Sequence, residues 1–97
     1  MPPGTNKGYA AEDVALHMRG VLQSTDPTLQ CGTEPIFPSD PSRGFSVIGY
    51  TPDECAVEIK VKPAEGGLEI KPFRGKGVAT SFLKAYQHVL EREVAGQ

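Results

Sequence analysis

No stretch of this chain holds the roughly 18 consecutive apolar residues that a membrane-spanning helix needs. The opening residues MPPGTNKGYA also lack the apolar run of a secretion signal, so the chain reads as soluble and cytoplasmic, without a membrane partner. Cysteine is scarce. Cys31 and Cys55 stand apart, with neither a CxxC pair nor a histidine at zinc-finger spacing, so no metal site is expected and both thiols read as reduced. Charge of one sign is not in excess either. A formal net charge of −2 excludes the broad electrostatic footprint of a general nucleic-acid binder and leaves room only for a local basic patch.

What is present is enough to fold. Hydrophobic residues at 38% and charged residues at 23% predict a packed chain rather than a disordered one, and 97 residues suffice for one domain with a thin core. The many prolines and glycines fall between periodic segments, which marks loops. Residues 1–8 read as a flexible tail. From Tyr9 to Gln23, Ala11, Val14, Ala15, Met18, Val21 and Leu22 recur at helical spacing, with Glu12 and Asp13 near the positive end of the helix dipole. Residues 24–44 contain four prolines and read as one long loop. That loop either hides a short edge strand near Glu34 to Phe37 or serves as a binding loop.

Three strands are predicted next, FSVIGY from Phe45, CAVEIKV from Cys55 and GLEIKPF from Gly67, joined by the short turns TPDE and KPAEG. Val57, Ile59 and Val61 share one face, and Glu58, Lys60 and Lys62 the other; Leu68 and Ile70 oppose Glu69 and Lys71 in the same way. From about Gly77, the residues Val78, Phe82, Leu83, Tyr86, Val89, Leu90 and Val94 form the apolar stripe of a second helix. The predicted fold is α+β: a two-layer sandwich in the order helix, three strands, helix, with both helices on one face of an antiparallel meander.

Between the last strand and the second helix lies RGKG, Arg74 to Gly77. A helix amino terminus offers unpaired N–H groups, the two glycines remove obstructing side chains, and Arg74 and Lys76 add charge, which together are the ingredients of an anion site. The Walker pattern is absent, and GxGxxG is met only as GKGVAT. RGKGVA, Arg74 to Ala79, resembles the [RQ]xxGx[GA] pyrophosphate loop of the GNAT acetyltransferases. It follows an apolar alternating strand (Leu68, Ile70, Pro72) and precedes a helix with SFLKAY, over about twenty-five residues. That resemblance implies a binding set of Arg74, Gly75, Lys76, Gly77 and Ala79 and acetyl-CoA as cofactor; without it no cofactor is expected. The element order also looks like that of the double-stranded RNA-binding domains and of the Alu-binding proteins of the signal recognition particle, which implies RNA as partner, although Lys76 stands alone where the former carry a lysine cluster.

Lys60, Lys62 and Lys71 share the predicted solvent face, with Arg74 and Lys76 at its edge, giving a candidate basic stripe interrupted by Glu58 and Glu69. His17 and His88 fall on different helices in lateral or exposed positions. Cys31 carries no local nucleophile signature, and Glu91 and Glu93 cannot face each other on a helix. No nucleophile, base and orienting group converge, so no catalytic residue is assigned and the chain reads as a non-catalytic module for a protein or anionic partner. A free sheet edge also allows a homodimer through strand pairing.

Overall fold

The computed structural model describes residues 10–95, with side chains as far as His88; the tail at residues 1–8 and the side chains of Val89, Leu90, Glu91, Glu93 and Val94 lie outside this range. The chain runs α1 (Ala11–Thr25), β1 (Gln30–Pro35), a 3-10 turn (Pro41–Arg43), β2 (Phe45–Tyr50), β3 (Cys55–Ala64), β4 (Gly67–Arg74) and α2 (Lys76–Ala95). The four strands form one antiparallel sheet in the order β1-β2-β3-β4, and the class is α+β as predicted. The meander has four strands rather than three. Residues 24–44 are therefore not one long loop: α1 extends to Thr25, and an edge strand occupies Gln30–Pro35, ahead of the Glu34 to Phe37 position expected for it.

Helix α1 lacks a side-chain cap at Ala10, but Glu12 and Asp13 occupy its first turn, where carboxylates favour the helix dipole. It ends where the Asp26 N–H donates to the Leu22 carbonyl at 2.9 Å, and Asp26 Oδ1 then accepts the Thr28 N–H at 3.1 Å, turning the chain at Pro27. This delivers Leu29 to the core and starts β1. The strand is tied to α1 by Gln23, whose Oε1 accepts the Cys31 N–H at 3.1 Å while its Nε2 donates to the Leu29 carbonyl. β1 pairs with β2 over six positions, from Gln30 opposite Tyr50 to Pro35 opposite Phe45.

The remaining turns follow their residues. Thr51 Oγ1 accepts the N–H groups of Asp53 and Glu54 at 3.3 and 3.2 Å, closing the TPDE turn between β2 and β3. Glu65 and Gly66 make the two-residue turn between β3 and β4, with Gly66 at φ 81°, a conformation that favours glycine.

Both helices cover the same sheet face. Val14, Ala15, Met18 and Leu22 of α1, Leu29, Phe45 and Val47, Val57, Ile59 and Val61 of β3, and Ala79, Phe82 and Tyr86 of α2 form the core. At roughly 1.5 to 3 kcal/mol for each large side chain buried, this cluster is the main source of stability. Val78, predicted on the stripe of α2, is 60% exposed. The buried stripe runs through Ala79, Phe82 and Tyr86, and one residue along a helix turns a side chain about 100° away from it.

Candidate binding face

The opposite face of the sheet carries no helix among the described residues. By register, one row across it reads Gly32, Ile48, Glu58, Arg74 and the next Glu34, Ser46, Lys60, Lys71, with Lys62 opposite Glu69 beyond them. The sequence-predicted cations Lys60, Lys62, Lys71 and Arg74 therefore do share one surface. Four cations stand among three carboxylates, and two of them are paired: Arg74 Nε lies 3.6 Å from Glu58 Oε1, and Lys71 Nζ 3.6 Å from Glu69 Oε2. Both pairs include an exposed cation, so each contributes at most about 1 kcal/mol.

Two features of this face were not predicted. β3 and β4 shift register at Glu58/Ile59, so that Arg74 opposes Glu58 and Pro72 opposes Ile59, leaving Phe73 as the extra residue of a bulge. A bulge re-aims side chains, and Phe73 emerges among the cations, 48% exposed. Lys60 Nζ lies 3.6 Å from the centroid of its ring and the Arg74 guanidinium carbon 5.7 Å from it. Tyr50, at the end of β2, is likewise 44% exposed. The second feature is Ile48, which is only 4% exposed although it does not belong to the core cluster beneath the helices. It stands mid-face on a central strand, giving the charged surface an apolar floor. The sequence signal for both was the breakdown of strict alternation, in IGY at one end and KPFR at the other.

At the edge of this face Cys55 pairs with Tyr50. Partial burial pushes its thiol above the usual range, the Glu58 carboxylate adds to that rise, and the Arg74 guanidinium opposes it. Cys31 is raised as well, by burial first and then by Asp26.

The glycine turn at the start of α2 has a structural cause. Gly75 has φ 62°, and a β carbon there would collide with the backbone carbonyl oxygen of Ala56. Its own carbonyl accepts the Ala79 N–H at 2.9 Å, opening the helix. Of the loop residues, Arg74, Lys76 and Gly77 are exposed, whereas Ala79 is fully buried in the core and its N–H is already bonded. His17, far from this face, hydrogen-bonds Tyr86 across the helix pair. A groove of 680 Å³ opens between the two helices, and among the described residues Asp26 is the only titratable one in its lining. No group of three or more His, Cys, Asp or Glu residues that could hold a metal occurs among the described residues, and no helix among them is long and apolar enough to cross a membrane. Comparison with protein-family models, with curated proteins and with solved structures finds no match to this chain.

Proposed function

We propose that this chain is a non-catalytic binding module that takes an acidic segment of a partner protein across the open face of its sheet. The observation that carries this reading is the exposed Phe73 ring with the Lys60 ammonium 3.6 Å from its centroid and Arg74 beside it. An exposed ring between cations offers an anionic chain both charge and a contact surface. The interleaved carboxylates Glu34, Glu58 and Glu69 favour a polypeptide over a nucleic acid. Phosphate binding gains from a continuous run of cations releasing counterions, and here four cations are offset by three acids.

Calorimetric titration with a glutamate-rich peptide, with duplex RNA and with acetyl-CoA at low and physiological salt tests this. The peptide is expected to bind at micromolar to millimolar concentration, weakening with salt, and Lys60→Glu and Phe73→Ala are each expected to abolish the signal. Peptide binding that survives Lys60→Glu contradicts the reading. Tight acetyl-CoA binding lost in Arg74→Ala would replace it with the transferase reading, and salt-dependent duplex RNA binding with the RNA one.

A further inference from the structure

The two edges of the sheet are not equivalent. On β1, Ile36 donates its N–H to Gly44 on the β2 side, so residues of the other parity point outward. Of these, Cys31 is capped by Gln23 and Pro35 has no N–H, leaving Thr33 to offer an outward donor mid-strand. On β4, Pro72 opposes Ile59, and Pro63 of β3 opposes Leu68. Prolines fit only where no ladder donor is needed, which fixes the parity: Lys60–Lys71 and Lys62–Glu69 are the hydrogen-bonded pairs, and Leu68 and Ile70 turn their N–H groups outward. Among the described residues β4 is paired on one side only, and its apolar row Leu68, Ile70, Pro72 is half-buried along that edge.

We infer that β4 is a self-pairing edge, through which two copies of this chain join antiparallel with Ile70 opposite Ile70, extending one sheet across both. Charge selects the register. Centring the pair on Glu69 sets two glutamates opposite each other, and centring it on Lys71 sets two lysines opposite each other. Centring it on Ile70 sets Glu69 of each copy opposite Lys71 of the other on the open face. That register also places Leu68 opposite Pro72 on the helix side, continuing the apolar layer. Each Ile70 N–H meets the facing Ile70 carbonyl, and each Leu68 N–H meets a Pro72 carbonyl, so the missing donors of the two prolines interrupt only the ends. The joint brings the Lys71 and Phe73 surfaces of two copies together into one face. It does not depend on what that face binds.

Sedimentation equilibrium on the full chain, from micromolar to several hundred micromolar, tests this with three variants whose changes are confined to the exposed positions 69 and 71: E69K, K71E and the double E69K/K71E. The wild-type chain is expected to dimerise. Each single reversal sets like charges opposite each other twice by symmetry and is expected to weaken the dimer about tenfold or more, while the double reversal restores it. Amide exchange at Ile70 should slow in step with dimer formation. A wild-type chain that stays monomeric throughout, single reversals that leave the dimer unchanged, or a double variant as weak as the singles would each overturn the inference. A dimer broken by Thr33→Pro but not by E69K would assign the joint to β1 instead and overturn it equally.

Discussion

The backbone of Gly75 runs so close to the carbonyl of Ala56 that no other residue fits at the start of α2 without moving β3. The two glycines of the turn differ: position 75 has φ 62° and no space, whereas a β carbon at 77 meets nothing within 4 Å. Gly75→Ala is expected to destabilise by more than about 2 kcal/mol, from left-handed strain and the collision together, while Gly77→Ala is expected to be neutral or to stabilise by up to about 1 kcal/mol. Urea denaturation of both variants checks the contrast; equal effects would contradict it.

The helices are joined at His17 Nδ1 and the Tyr86 hydroxyl, 2.7 Å apart, with the Tyr86 ring stacked on Phe82 at a centroid distance of 5.7 Å. Tyr86→Phe keeps the ring and removes the bond, so a loss of about 0.5 to 1.5 kcal/mol is expected by thermal or chemical unfolding.

Phe82 is 6% exposed and belongs to the core cluster that holds α2 on the sheet. Phe82→Ala removes that anchor and leaves a cavity, so about 3 to 5 kcal/mol should be lost. A loss below about 1 kcal/mol in denaturant titration would contradict the packing of α2 on the sheet.

Cys55 reports on the Glu58–Arg74 pair. Its thiol is raised by partial burial, then by Glu58, against Arg74, so its thiolate fraction near neutral pH is low. In a Cys31→Ser background, Glu58→Gln is expected to speed its reaction with a disulfide reagent and Arg74→Gln to slow it. A thiol raised in the folded state binds its proton more tightly there, so its contribution to stability is present below the unfolded thiol pKa and is lost as pH rises through the folded one. Urea midpoints on the alkaline side should fall accordingly.

Much of this architecture was legible because alternation and helical spacing are strong wherever one face is buried. β2 occupies the predicted FSVIGY, Phe45–Tyr50, and β3 and β4 start at the predicted Cys55 and Gly67. β1 is legible only as one of two readings of its segment, and there displaced toward Phe37, since QCGTEP carries a glycine, a proline and little β propensity; it exists because β2 and Gln23 supply partners. The cationic face was readable from alternation in β3 and β4, but Phe73 entered it through a bulge, and the place of a bulge depends on pairing rather than on local sequence. Ala79 matched a loop pattern, yet helix register points it into the core.

The central claim is that the open sheet face, not the helix layer, is the surface that meets a partner. Amide shift mapping of the isotope-labelled chain during titration with a glutamate-rich peptide tests it most directly. The account predicts that the largest perturbations cluster at Tyr50, Lys60, Phe73 and Arg74 while α1 stays silent. Perturbations centred instead on the groove at Leu22, Val78 and Phe82, or none at millimolar peptide, would contradict it.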